Sequence, residues 1–368
     1  MLYKNTNISW LYELKSTIPR FLEKLKGEKR SGFFHYSFSG DLYSEDVKWG
    51  LGNTVFAIKI YHILNLLDKL PKKDANEMIN FIKSFQRNDG SFNDPLIRRK
   101  TLLKNIITAF RIAKFDNVFG QKTIRAETKQ TIAALNLLIE PEIAYKKIPS
   151  TEEEVNRYLN RLNWAKPWDA GSHFNHLIFF LNLNKKVHTI QNDVADYLIN
   201  YAIDWVNNLQ SSKDGSWYRG KKTSLSQKIN GAMKVIRGLN TANNPSFKYP
   251  EKLIDLCLQI NDLSHACNIT NVIYVLRYAN ELTRGNYRFR DIQEFCNRWL
   301  NICKKHFFPD IGGFSFYFGK SNEIYYGARI TRGLNEPDIH GTVMLLWGIT
   351  LVSKIFEHDL GYNEPVIH

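Results

Sequence analysis

The sequence predicts an all-α fold, and three observations predict it. Apolar residues recur at helical spacing in one segment after another. No strand-like alternation competes over comparable lengths. Helices that open polar and turn strongly apolar alternate with more charged, amphipathic ones, which is how two packed layers of helices are written in a sequence.

Residues 1–48 form an N-terminal section. Over 8–25, Trp10, Leu11, Leu14, Ile18, Leu22 and Leu25 fall largely on one helical face, with Pro19 placed to kink or divide the segment. It reads as a packing helix, and its lysine-rich other face offers peripheral contact with a membrane surface. Segment 31–40, dense in Phe and Tyr, reads as an irregular loop whose rings need burial.

From Trp49 the alternation sets in. Helices of the apolar kind are expected over 49–64, 126–138, 169–181, 228–239, 265–276 and 338–349. The amphipathic kind is expected over 74–86, 102–115, 152–162, 193–210, 250–261 and 288–305, with Ser150 and Glu153 as a capping-box start for the third of these. An inner helix that is apolar all round needs a second layer over it. Six inner and about six outer helices then make an (α/α)6 toroid in a single domain, 1–368, with an open solenoid of the same hairpins as the alternative.

A repeated unit lies within that pattern. Gln210 is followed by Asp214-Gly215-Ser216-Trp217, and Gln86 by Asp89-Gly90-Ser91-Phe92; Asp310, Gly312, Gly313 and Phe314 look like a third copy without the Gln. The glycine allows the positive φ that reverses the chain after a helix end, the Gln amide is suited to the orphaned carbonyls there, and the aromatic ring covers the backbone. These Q-x(2,3)-D-G-S-[FW] units resemble the repeat motif of the terpenoid cyclases and the protein prenyltransferase β subunits. The resemblance implies a closed ring of helices around a central cavity and an isoprenoid or prenyl diphosphate substrate.

Composition narrows the partners. The 368 residues are 43% hydrophobic and 13% aromatic, enough for a large core and for an aromatic-lined cavity. A net charge of +14 favours anionic small molecules, acidic glycans or lipid headgroups. No basic stretch interleaved with aromatics, zinc finger or Gly-rich phosphate loop is present, so nucleic acid is not an expected partner. Cys257, Cys267, Cys296 and Cys303 form no CxxC pair, which fits free thiols in a reducing cytoplasm; the N-terminus lacks a signal-peptide apolar run, and no stretch is long enough to span a bilayer.

The chemistry is expected where the inner helices begin, because their N-termini present unpaired N–H groups that attract anions. The last of them opens Asp338-Ile339-His340-Gly341-Thr342, similar to the D-x-D-D-T helix start of squalene-hopene-type cyclases, with His340 and Gly341 in the two later acidic positions. An imidazole is far too weak an acid to protonate an isolated alkene, so an intact DxDD acid is not expected. Further catalytic candidates are His173, His176, Glu127 and Asp169. Arg329 and Arg332 are the preferred anion clamp, with Arg125 and Lys129 completing a positive rim. Tyr325, Tyr326 and Asn271 are expected to contact substrate, and Trp164 and Trp168 to stack on sugar rings or pack their loop.

No cofactor is firmly implied. A divalent metal stays open as an alternative, on His265, Cys267 and His340 or on His173 and His176. The first functional expectation is an enzyme like the terpenoid cyclases or prenyltransferases, acting on an anionic, partly apolar substrate. It calls for an aromatic wall, a positive rim and no carboxylate pair. A hydrolase, lyase or epimerase on an acidic glycan is the second, and it calls for a carboxylate pair or a His–Tyr pair close together. A noncatalytic toroid binding a ligand or protein is the third.

Overall fold

The computed structural model describes residues 9–112, 117, 119–261 and 263–364. The chain divides into two compact units: Met1–Glu140, Leu300–Thr350 and Asp359–Val366 in the first, Pro141–Trp299, Leu351–His358 and Ile367–His368 in the second. Among the described residues no helix is long and apolar enough to cross a membrane. The start of the first expected helix at residue 8, and positions 113–115 of the helix expected over 102–115, lie outside the described residues.

The first unit contains α1 (Ser9–Leu25), α2 (Leu51–Ile63), α3 (Lys72–Lys83), α4 (Pro95–Ile112) and α5 (Gln121–Leu135). The second contains α6 (Glu152–Arg161), α7 (Pro167–Lys186), α8 (Asn192–Asn207), α9 (Leu225–Thr241), α10 (Pro250–Leu258) and α11 (Ala266–Leu282). Helices α12 (Phe289–His306) and α13 (Ile339–Ile355) close the series, with two short hairpins between them, β1 (Phe307–Phe308) on β2 (Gly313–Phe314) and β3 (Ile324–Tyr325) on β4 (Ala328–Arg329).

Burial separates the two kinds of helix. In α2 eleven of 13 residues are buried, against three of 12 in α3, so α2 is enclosed and α3 covers. Likewise α7 buries 14 of its 20 residues and α6 only two of 10. Within the first unit α2 packs on α5, and within the second α7 packs on α9 and α9 on α11. Glycines set the α7–α9 approach: a Cβ on Gly171 would lie 2.9 Å from the Gly231 carbonyl oxygen, and one on Gly231 would lie 2.9 Å from the Pro167 carbonyl carbon. Pro19 does not divide α1, which runs unbroken.

The repeated turn is built as a short bridge. Gln210 pairs with Trp217 and Gln86 with Phe92, around Gly215 (φ 73°) and Gly90 (φ 79°). The Asp-Gly-Ser sequence has its own logic, because Asp214 accepts from both the N–H and the hydroxyl of Ser216, at 3.1 and 2.8 Å, and Asp89 does the same for Ser91 at 3.1 and 2.5 Å. Gln210 donates to the Gly215 carbonyl at 2.7 Å and accepts from the Lys248 N–H at 2.8 Å. Gln86 is exposed, so the role expected of both glutamines falls to Gln210 alone. In the third copy the ladder pairs Phe307 with Phe314, and Gly312 takes φ 98°.

One boundary moves. The capping residue of α6 is Thr151, whose hydroxyl accepts from the Glu154 N–H, while the Glu154 carboxylate reaches back to the Ser150 N–H at 2.8 Å. The box is therefore Thr151 to Glu154, one residue later than Ser150 to Glu153, because Thr151 holds the extended conformation that a cap needs.

Candidate functional site

The first unit gathers polar side chains inside an aromatic shell at the start of α13. His340, the second residue of that helix, stacks on Phe56 of α2 with ring centroids 4.7 Å apart and 11° between planes. Phe316 lies at 4.8 Å, Tyr325 at 5.9 Å and Tyr36 at 6.3 Å. The Tyr36 hydroxyl hydrogen-bonds His340 Nδ1 at 2.9 Å and accepts from Asn322 Nδ2 at 2.8 Å. Asn322 is oriented in turn, its amide donating to the Ile324 carbonyl at 2.9 Å. Tyr36 is fully buried and His340 half-buried.

Asp338 builds the helix start on which His340 rides. Its carboxylate accepts from the Gly341 N–H at 2.7 Å, the Phe316 N–H at 2.8 Å and the Asn322 N–H at 3.1 Å. Burial pushes it up to about 7 despite these donors. It acts as a cap and a clamp on the preceding loop. Gly341, in the last acidic position of the D-x-D-D-T comparison, is there because a Cβ would sit 2.4 Å from the Phe316 nitrogen.

A carboxyl pair stands in the same unit. Asp94 accepts from the N–H groups of Gly50 and Leu51 at 2.8 and 3.3 Å, and from those of Leu96 and Ile97 at 2.9 and 3.4 Å, so it serves the starts of α2 and α4 together. Its own N–H donates to Glu127 Oε2 at 3.2 Å. Glu127 Oε1 is buried with no hydrogen-bond partner among the described residues. Burial pushes Asp94 up to about 6; burial first, then the Asp94 charge, holds Glu127 well above the usual carboxylate range. Burial also raises the Tyr325 phenol, with Tyr326, Glu127, Tyr36 and Asp94 all adding to the shift. The Tyr325 ring fits because position 52 is glycine, where a Cβ would lie 2.5 Å from the phenol oxygen.

The other expected residues of this unit fall differently. Tyr326 lies beside Tyr325, ring centroids 4.5 Å apart. Lys129 is buried and Arg125 half-buried on α5. Arg329 is exposed and paired with Glu323 at 3.2 Å, and Arg332 is exposed.

In the second unit Tyr158 hydrogen-bonds His173 Nδ1 at 2.9 Å, with Asp169 3.9 Å from His173 Nε2. Asp169 and Trp168 line a shallow surface pocket with Lys166, Ser172 and Gln227. His176 is buried on the same helix. Trp164 is buried, its indole N–H donating to the Leu159 carbonyl at 3.1 Å, so it packs the loop. Asn271 donates to Asn230 at 2.6 Å and Asn230 to Asn268 at 3.2 Å, an amide chain tying α9 to α11. His265 caps α11, its ring nitrogen 3.4 Å from the Asn268 N–H, and Cys267 is half-buried. Among the described residues no group of three or more His, Cys, Asp or Glu is placed to hold a metal.

Sequence reasoning missed Tyr36, Asn322 and Asp94 at the first site. It also missed Lys234 and Arg237, one turn apart on α9, where burial and then the Arg237 charge bring Lys234 down to about 8. Asp94 had a signal: it stands two residues after the motif aromatic Phe92, as Phe316 does after Phe314, and each donates its N–H to a carboxylate on a later helix start or helix. The others lie in loops or carry no motif.

No protein-family model matches the sequence, and no curated protein is similar to it. A crystal structure of a protein from Actinoplanes is similar at a TM-score of 0.43 and 9% identity, covering 92% of this chain and 99% of that one, a likeness too slight to carry an argument.

Proposed function

We propose that the protein is an enzyme that moves a proton on an anionic, partly apolar substrate of the isoprenoid or prenyl diphosphate class, with His340 as its acid–base group. The observation that carries this reading is the imidazole held by Tyr36 and Asn322 among the rings of Phe56, Phe316 and Tyr325. Ring faces stabilise a positive centre developing on a substrate, and an aromatic wall suits an apolar chain. Because imidazole is too weak to protonate an isolated alkene, the role that fits is that of base. The two lone pairs of the Tyr36 oxygen can accept from Asn322 Nδ2 and His340 Nδ1 together, the arrangement in which Nε2 takes a proton from carbon beside the positive centre. A departing diphosphate generates that centre without an acid. The alternation of enclosed and covering helices supports the α/α toroid reading, and the net charge of +14 supports an anionic substrate.

A second reading, an enzyme on an acidic glycan, draws on the Tyr158–His173–Asp169 chain beside Trp168 and on the Asp94–Glu127 pair, a carboxylate pair that the first reading does not call for. One experiment separates the two: a thermal-shift titration with farnesyl and geranylgeranyl diphosphate, pyrophosphate alone, and acidic oligosaccharides. Stabilisation by the prenyl diphosphates beyond pyrophosphate, with turnover lost in His340→Ala, is the expected result. Stabilisation by oligosaccharides alone, or unchanged turnover in His340→Ala, overturns the first reading.

A further inference from the structure

The pattern over 102–115 predicts a covering helix with a charged outer face, and the outer side of α4 carries an apolar stripe among its charges. Thr101 and Ala109 are buried on its inner side. Leu103, Ile107 and Phe110, spaced i, i+4 and i+7, are 69%, 58% and 71% exposed. That is an apolar stripe open to solvent on a helix whose inner side is already packed. Lys100, Lys104 and Arg111 border the stripe, and Arg98 and Arg99 are exposed on the same helix. Between Pro95 and Ile112 there is no Asp or Glu.

We propose that the outer face of α4 docks the protein on an anionic lipid surface, with Leu103, Ile107 and Phe110 entering the headgroup boundary and the bordering Lys and Arg side chains meeting lipid phosphates. An exposed apolar stripe rimmed by cations on a helix without acids is the pattern that lies in the plane of such an interface. Charge argues against a second copy of the chain as occupant, since two such faces would set Lys100, Lys104 and Arg111 against the same three cations. The inference stands on α4 alone and goes beyond the reaction proposed above.

The test is co-sedimentation of the full chain with vesicles of phosphatidylcholine, and of phosphatidylcholine mixed with phosphatidylserine, at low and high salt. The expected result is binding to the mixed vesicles that weakens as salt rises. Leu103→Glu with Ile107→Glu should weaken it about tenfold or more, through lost apolar insertion, at an unchanged melting temperature. Lys100→Glu with Lys104→Glu should weaken it through charge, and serves if the first variant fails to fold. Absence of binding to mixed vesicles, or full binding in both variants, overturns the proposal. A dimer in solution that the Leu103→Glu, Ile107→Glu variant converts to monomer also overturns it, assigning the stripe to self-association.

Discussion

Thr128 and Thr342 receive the chain in the same way: each hydroxyl accepts the backbone N–H of a motif aromatic, Phe92 or Phe314, at 3.0 Å. Each also donates one turn back along its own helix, to the Ile124 carbonyl at 2.7 Å and the Asp338 carbonyl at 2.8 Å. The two turns, one with a Gln and one without, are thus moored by the same threonine. Thr128→Val and Thr342→Val should each cost about 1 to 3 kcal/mol, because a buried N–H loses its acceptor. Chemical denaturation measures this, with Thr108→Val on the exposed side of α4 as control; equal stability of all three variants would remove the threonines from the repeat.

The two glutamines should separate. Gln210→Ala strips partners from the Gly215 carbonyl and the Lys248 N–H and is expected to cost about 1 to 3 kcal/mol. Gln86→Ala, at an exposed position, is expected to be nearly silent. Similar losses in both would show that the two copies work alike.

Buried carboxyls give a pH signature. A folded-state pKa raised above the unfolded one means that the folded chain binds the proton more tightly, so this contribution is present below the unfolded value and is lost as pH rises through the folded one. Burial raises Glu127 in this sense, with Asp94 at about 6 beside it. Glu127→Gln keeps an acceptor for the Asp94 N–H and removes the titration. Its stability relative to the parent chain should therefore increase as pH is raised from about 4 to about 8. Urea midpoints across that range test it, and a difference that does not change with pH rejects it.

Two glycines should fail in different ways. A Cβ at Gly341 meets the Phe316 backbone at 2.4 Å, so Gly341→Ala should lose about 1 to 3 kcal/mol of stability. At Gly52 the obstacle is the phenol end of Tyr325, a side chain rather than backbone. Gly52→Ala should cost less stability than Gly341→Ala while ligand stabilisation falls, and equal melting losses in both would contradict this.

Tyr36→Phe tests positioning. The ring still packs, but His340 Nδ1 and Asn322 lose a shared partner. Turnover should fall by about tenfold to a hundredfold with little change in KM, and the pH profile should move, because the hydroxyl no longer selects the protonation of the imidazole. A merely structural Tyr36 would leave the profile where it is.

Much of the helical pattern was legible because burial imposes its period on local sequence: the inner helix expected over 49–64 runs Leu51–Ile63, and the one expected over 228–239 runs Leu225–Thr241. His340 was legible too, since an imidazole on an apolar helix stands out. Tyr36 was not, because it meets His340 across 304 residues of sequence and sits in a loop without period. Asn322 lies in a loop, its amide placed by the Ile324 carbonyl and the distant Tyr36 hydroxyl, and Asp94 reads locally as a plain cap for α4. The outward apolar face of α4 was hidden for the opposite reason, since periodicity reports that a helix has two faces and not which one meets the core.

One carboxyl gathers backbone donors from the starts of two helices: Asp94 grips Gly50 and Leu51 ahead of Phe56, and Leu96 and Ile97 at the root of α4. It works as a hinge pin. Through that single side chain the exposed helix is tied to the first turn of the helix whose Phe56 lies flat against His340.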